Sequence, residues 1–151
     1  MTTEIMLPIW KMGRTRLTNQ LATITPESLS RRIHPDSNSI GWLLRHIAEV
    51  ELLFAKNVFG RPLQVKLATV GPGIKDHGNF TNLGELNAML DESATELGAA
   101  ILDQEDESWA TEVTTREFGT ITKAEALSRI TTHTAWHAGQ MAIIKKYAAA
   151  G

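Results

Sequence analysis

Two histidines stand four residues apart in the stretch ITTHTAWHAGQM, residues 130–141. At this spacing on a helix, the imidazoles of His133 and His137 lie one turn apart on the same face. Both can then reach one cation at about 2.1 Å, the length of a zinc–imidazole bond. Five histidines in a chain of 151 residues give roughly 0.1 such pairs by chance at any one chosen spacing. The pair alone therefore suggests a metal site without deciding it.

His46 is the candidate for a third ligand. Its neighbours Leu43, Ile47 and Val50 repeat at helical spacing and assign it to the inward side of its helix. A facing helix that carries the pair could meet it there. Three neutral imidazoles leave the fourth position of a tetrahedral ion open, as in catalytic zinc sites. The alternative is three separate core histidines, each satisfied by a Ser or Thr hydroxyl or by a helix carbonyl.

Three further candidates lie one helical turn from a histidine. Glu49 would orient a ligand or accept a proton, unless it is simply solvated. Arg129 would bind an anionic substrate or make a surface ion pair. Gln140 would donate to a bound substrate or fix a helix contact. We interpret Trp42 and Trp136 as packing residues, with Trp42 also able to line the pocket.

Four blocks of apolar residues at helical spacing must position these side chains. They predict helices near residues 4–22, 39–59, 82–103 and 122–148. The last helix opens with Thr122 and Glu125, which fit a capping box. Four helices in one chain of this length favour an all-α four-helix bundle.

The first block predicts a buried stripe at one face of its helix. The stripe consists of Ile5, Ile9, Met12, Leu17 and Leu21. Pro8 falls within this block and is acceptable only in or near the first turn, because proline has no N–H for the helix ladder. In the fourth block, the apolar positions run through Leu127, Ile130, Ile144 and Tyr147.

The two long linkers differ in what they allow. Segment 61–80 contains about 20 residues and can extend to about 65 Å, whereas a helix of 20 residues is about 30 Å long. Helices 2 and 3 can therefore run parallel. Segment 105–121 contains an alternating stretch around Val113 that can form a small hairpin. We interpret His34 and His77 as loop residues and not as ligands.

Composition excludes several classes of protein. With 42% hydrophobic and 21% charged residues, the chain has the balance of one globular domain, residues 1–151. The formal charge of -2 offers no positive field for nucleic acid. There is no cysteine, so the chain has no disulfide and no thiol nucleophile of its own. Without an apolar run of membrane length or a signal sequence, we expect a soluble cytoplasmic protein that does not bind a membrane.

Competing catalytic signatures are missing. No histidine has a glutamate three residues before it, as a di-iron bundle would require. The sequence also lacks a His-Glu-x-x-His helix, a phosphate-binding Gly-x-x-x-x-Gly-Lys loop and a Gly-x-Ser-x-Gly turn. The three histidines are thus the principal chemical signal.

Two stretches together carry a family resemblance. SIGWLLRHIAEVE at 39–51 and HTAWHAGQMAIIKKY at 133–147 resemble the DinB-like superfamily of bacterial four-helix bundles. Its motif is one histidine on the second helix and a His-x-x-x-His pair followed by Gly-Gln on the fourth. The resemblance implies up-down-down-up topology, a divalent metal such as nickel or zinc, and frequent homodimers. Some members are metal-dependent thiol transferases.

These observations lead to one predicted function and one alternative. We expect a metal-dependent transferase or hydrolase that activates a small thiol or water against a small-molecule substrate. Because the chain lacks cysteine, a thiol must arrive as a low-molecular-weight cosubstrate. The alternative is a metal-binding or dimeric interaction module without turnover. An open metal face beside a cavity would favour the enzyme, and a fourth protein ligand would favour the module.

Overall fold

The computed structural model describes residues 2–148, and four long helices form its frame. They are α1 Thr2–Leu21, α2 Ile40–Asn57, α3 Leu83–Leu102 and α4 Lys123–Tyr147. Short 3-10 turns occur at Pro26–Ser28 and Asp106–Ala110, and a hairpin joins β1 Glu112–Thr115 to β2 Gly119–Thr122. The four predicted helices are confirmed to within two residues at each end. Among residues 2–148, no helix combines the length and the apolar character needed to cross a membrane.

Side-chain caps explain where the helices begin. The Ser39 hydroxyl accepts a hydrogen bond from the backbone N–H of Trp42 at 3.2 Å at the start of α2. At the start of α4, Thr122 and Glu125 form the predicted capping box. Each cap satisfies an N–H group that has no partner within its own helix. The capping residues thus fix where α2 and α4 begin.

Helices α2 and α3 run parallel, as the linker length allowed. At their beginnings, Gly41 lies so close to Phe80 that a Cβ atom would overlap the Phe80 carbonyl oxygen. At their ends, the Gln104 side-chain amide donates to the Phe59 carbonyl oxygen at 3.3 Å. The linker 61–80 therefore returns the chain along the bundle before α3 starts.

Helices α1 and α4 are the second parallel pair. The Gln20 side-chain amide donates to the Ala138 carbonyl oxygen at 2.8 Å, and Lys145 Nζ donates to the Thr23 hydroxyl. Contacts therefore advance in the same direction along both helices. Combined with the parallel α2 and α3, this gives the up-down-down-up topology that the family resemblance implied.

The small hairpin is also confirmed. Its strands pair antiparallel with Val113 opposite Ile121, and Phe118 in its turn contacts Phe54 of α2 with ring centroids 5.8 Å apart. This contact seats the hairpin beside the end of α2. The hairpin consequently forms one wall near the histidines.

The expectations for α1 need two corrections. Pro8 lies in the second turn, because α1 already begins at Thr2. The turn before the proline is held from outside the helix: the Thr3 hydroxyl donates to the Gln104 carbonyl oxygen at 2.7 Å and accepts from Trp109 Nε1 at 2.9 Å. These contacts stabilise a turn that the proline weakens.

The predicted stripe on α1 is wrong over its first half. Ile5, Ile9 and Met12 are 60%, 51% and 71% exposed. The face that packs inward carries Trp10, Arg14 and Leu17 instead. Tyr147 at the end of α4 is likewise exposed, whereas the other named positions of that block are buried.

A buried ion pair that joins all four helices explains which face of α1 packs inward. Arg14 of α1 donates to both carboxylate oxygens of Glu51 of α2, at 3.0 and 3.2 Å. The same carboxylate accepts from the Ser93 hydroxyl of α3 at 2.6 Å and from the Thr134 hydroxyl of α4 at 3.3 Å. A buried carboxylate is tolerable only when its oxygens are satisfied in this way. Sequence periodicity gave no sign of this network.

Candidate metal centre

The three histidines converge between α2 and α4. His46 projects from α2, and its Nε2 lies 3.2 Å from Nε2 of His133 on α4. The ring of His137 lies 5.0 Å from that of His46 and 4.5 Å from that of His133, measured between centroids. One nitrogen from each ring falls within 4.8 Å of the other two. Three nitrogens on one ion at about 2.1 Å would lie about 3.4 Å apart, so small side-chain rotations suffice.

Hydrogen bonds at the outer ring nitrogens favour metal binding at the inner ones. Nδ1 of His46 contacts the Thr69 hydroxyl at 3.3 Å, and Nδ1 of His137 contacts the Gln140 amide oxygen at 2.7 Å. An amide oxygen only accepts, so Nδ1 of His137 carries the proton and Nε2 keeps its lone pair. Partners of this kind fix the tautomer and the orientation of metal-binding imidazoles.

The electrostatics keep the rings neutral. Burial, aided by the neighbouring His137, lowers the pKa of His46 to about 4. Burial, together with His137, His46 and Arg129, lowers the pKa of His133 to about 3. Burial also lowers the pKa of His137. Neutral imidazoles are the form that binds a metal, so at neutral pH metal binding requires no net loss of protons from the rings.

The donor set and its surroundings therefore fit a divalent cation. Nitrogen donors of this kind suit nickel, zinc and related ions. Nδ1 of His133 is buried and has no hydrogen-bond partner among residues 2–148, so Nε2 is its only engaged nitrogen. Within the same residues, the group contains no fourth histidine or carboxylate. His34 and His77 lie in loops outside it, as predicted.

Glu49 is fully buried, which excludes the solvated alternative. Its Oε1 accepts from the side chain of Arg45 and from the backbone N–H of Ala68. Its Oε2 accepts from the backbone N–H and the hydroxyl of Thr69, at 2.9 and 2.8 Å. Among residues 2–148, the hydrogen bonds of Glu49 lead to the histidines through Thr69, and they anchor the linker against α2.

Arg129 occupies the side of the site that faces the hairpin. Its guanidinium lies 3.8 Å from a carboxylate oxygen of Glu117 and 5.1 Å from the ring centre of Phe118. The side chain is half exposed and shares a cavity with His133. The structure therefore contains the surface ion pair and also leaves the cation accessible beside the histidines.

The two tryptophans, Trp42 and Trp136, differ in burial. Trp42 is buried as predicted and stacks on His46, with ring centroids 4.7 Å apart and planes 16° apart. Trp136 is 69% exposed, so its assignment to packing is wrong. It points away from the core because α4 turns its opposite face, with Thr134 and Ala138, toward the other helices. Trp136 instead lines the cavity beside His133.

Two cavities flank the histidines along the groove between α2 and α4. The hairpin-side cavity, of about 250 Å³, is lined by Val50, Phe54, Glu117, Arg129, Thr132, His133 and Trp136. The loop-side cavity, of about 350 Å³, is lined by Ile33, Asp36, Ser37, Asn38, Leu43, Gln140, Ile143 and Ile144. Larger clefts lie elsewhere on the surface, away from the histidines. The site is therefore approachable from the hairpin side, where His133 lines the cavity, and the loop-side cavity reaches it only as far as Gln140.

One member of the site was missed from the sequence. Thr69 lies in an irregular linker, where no periodicity predicts which side chains face the helices. It is nevertheless buried and joins Glu49 to His46. Only the path of the linker across α2 brings it there.

Fold and site together define a four-helix bundle that holds three histidines in position to bind a metal ion between its second and fourth helices. The sequence model of the DinB superfamily matches residues 9–141. This chain belongs to the DinB superfamily. No curated protein matches it in sequence.

Solved structures share the fold at low sequence identity. The crystal structure of a mycothiol-dependent maleylpyruvate isomerase superposes with a TM-score of 0.74 and 18% identity. A histidine-to-alanine variant of that enzyme gives 0.73 and 17%. Each match covers 93% of this chain and 61% of the isomerase, so the isomerase has a further part that this chain does not match. A conserved protein from Enterococcus faecalis gives 0.64 and 14%, with 95% of both chains covered.

Proposed function

We propose that this protein is a metal-dependent enzyme that transfers a small thiol, or water, to an electrophilic small molecule at the three-histidine site. The observation that carries this proposal is the open donor set. Three imidazole nitrogens converge without a fourth protein ligand among residues 2–148, and His133 itself lines an adjoining cavity. A divalent ion held there would lower the pKa of a thiol or of water enough to make a nucleophile at neutral pH.

One observation limits the source of a thiol nucleophile, and a second favours a thiol over water. The chain has no cysteine, so a nucleophilic sulfur has to come from a low-molecular-weight cosubstrate. A structural neighbour is described as mycothiol-dependent, and mycothiol is such a thiol. At 18% identity this likeness shows the fold alone, so it supports the choice of a thiol assay without identifying the thiol.

The chain's own residues would divide the remaining work. His46, His133 and His137 would hold the ion, nickel or zinc. Gln140 would fix the ring of His137 through the 2.7 Å hydrogen bond. Arg129 would attract an anionic group of the electrophile into the hairpin-side cavity, because its guanidinium is half exposed there.

The test begins with protein purified without a metal-affinity tag. Elemental analysis should find about one nickel or zinc per chain, and the loaded protein should consume a small thiol together with an electrophile at neutral pH. Removal of the metal should abolish this turnover. Arg129→Gln should raise KM for anionic electrophiles only, and Arg116→Gln, in the exposed hairpin turn, serves as its control. A finding that the metal-loaded protein binds neither thiol nor electrophile would refute the proposed enzymatic function.

The second candidate is a metal-binding or dimeric interaction module without turnover. Exposed apolar side chains favour a protein contact: Ile5, Ile9 and Met12 form one face of α1 at spacings of four and three residues. Contiguous exposed apolar residues of this kind mark interaction sites.

We propose that this face joins two copies in a homodimer, which is compatible with either function. We also propose a cytoplasmic location, since the chain uses no disulfides.

A further inference from the structure

Thr69 is the only residue of the linker 61–80 that contacts a metal-site histidine by hydrogen bonding within the described chain. We propose that Thr69 is a positioning residue that, held by Glu49, fixes the tautomer of His46 so that its Nε2 faces the metal. The inference rests on the proposed metal centre but concerns a property of the metal-free protein. No motif in the sequence assigns a role to this threonine.

The assignment follows from counting protons. Glu49 is fully buried among donors: Oε1 accepts from Arg45 and Ala68, and Oε2 accepts from the N–H and the hydroxyl of Thr69. The single hydroxyl proton of Thr69 is therefore committed to Glu49. Toward His46 the hydroxyl can only accept, so Nδ1 of His46 must carry the proton. A neutral imidazole protonated at Nδ1 has its lone pair at Nε2, the atom that faces His133.

The backbone around Thr69 is held firmly enough for this role. Arg45 Nη2 donates to the carbonyl oxygen of Lys66 at 2.8 Å, and both Ala68 and Thr69 donate backbone N–H groups to Glu49 at 2.9 Å. Segment 66–69 is thus fixed to one turn of α2, the turn that also carries His46. Trp42 stacks on the other side of the imidazole and limits its rotation. Glu49 acts here through Thr69 and not on a substrate.

The decisive measurement is the tautomer of His46 in metal-free protein at neutral pH, read from long-range proton–nitrogen NMR correlations of nitrogen-15-labelled histidine. We expect the proton on Nδ1 in the natural protein. Thr69→Val keeps the size of the side chain and removes the hydroxyl acceptor, and leaves only the backbone of Thr69 to hydrogen-bond His46. The population of the Nε2–H form of His46 should therefore rise. Thr69→Ser keeps the hydroxyl, so His46 should retain its proton on Nδ1. Thr114→Val, on the exposed hairpin, should change nothing.

Metal affinity gives the second readout. Thr69→Val should weaken zinc or nickel binding about 10- to 100-fold, the usual effect of removing a partner that orients a ligand. Thr69→Ser should stay close to the natural affinity. An Nε2–H tautomer in the natural protein would overturn the proposal even if the valine variant fails to fold. An unchanged tautomer and unchanged affinity in folded Thr69→Val would also overturn it. Neither the tautomer measurement nor the affinity measurement requires turnover. A negative result for Thr69 can therefore be distinguished from a lack of enzymatic activity.

Discussion

His46 and His133 lie 87 residues apart in the chain, yet their Nε2 atoms are 3.2 Å apart. Two nitrogen lone pairs at that distance repel unless a proton or a cation lies between them. In the metal-free protein, His133 can donate its Nε2 proton to His46, which leaves its buried Nδ1 without a partner among residues 2–148. A cation shared by both nitrogens, and by His137, removes the repulsion. The convergence of three ring nitrogens, which one shared proton cannot join, is the geometric reason to expect a metal.

The first prediction concerns metal content. Replacing His46, His133 or His137 singly by alanine should strip most of the metal, because two ligands bind far more weakly than three. The measurement is elemental analysis after dialysis against buffered zinc or nickel. His34→Ala and His77→Ala are the controls and should keep the full complement. Three unlinked core histidines would instead leave metal content unchanged and lower stability unequally.

A second prediction is the pH dependence of stability in metal-free protein. Unfolded histidine titrates near 6.5, whereas folded His46 and His133 have pKa values of about 4 and about 3. Between these values the unfolded chain binds more protons, so the free energy of unfolding falls as pH drops below 6.5. We expect a loss on the order of 1 kcal/mol per pH unit for each of these two histidines between pH 6.5 and 5.

Urea unfolding in a chelator at several pH values measures this loss. A double variant with glutamine at His46 and His133 should show a flatter dependence on pH. His34→Ala should follow the natural protein, since His34 lies in an exposed loop. Stability that is constant between pH 7 and 5 would contradict the prediction.

The buried ion pair gives a third prediction. Arg14→Met removes the partner of the buried Glu51 carboxylate and should lower the free energy of unfolding by about 3–5 kcal/mol. Arg61→Met is the control, because Arg61 pairs with Glu96 and Asp103 at the surface. The Arg61→Met variant should lose much less stability, because a surface ion pair is screened by water. Similar losses in the two variants, measured by denaturant unfolding, would argue against a special role for the buried pair.

A fourth prediction tests the homodimer. Met12→Glu combined with Ile9→Glu places charge on the exposed face of α1 and should give a monomer in sedimentation at micromolar protein. Ile74→Glu changes an exposed apolar residue in the linker and should leave the dimer intact. A natural protein that sediments only as a monomer would exclude this contact.

Local patterns in the sequence determined the helices and pointed to the three histidines that the structure places where they could hold a metal ion. The buried face of α2 and the caps at Ser39 and Thr122 follow from periodicity and hydrogen-bonding chemistry within a few residues. The spacing of His133 and His137 depends only on one helix turn. These features need no knowledge of distant contacts, so the sequence alone was sufficient to predict them.

The tertiary structure decided which faces are buried and which loop residues belong to the site. Ile9 repeats at helical spacing, yet α1 turns Arg14 inward because Glu51, Ser93 and Thr134 together satisfy its charge network. Glu49 is buried only because the linker crosses α2 and donates to it, and the same crossing brings Thr69 to His46. Such contacts join residues far apart in the chain. Their free energy depends on burial and on the geometry of every partner at once, which no local pattern of residues encodes.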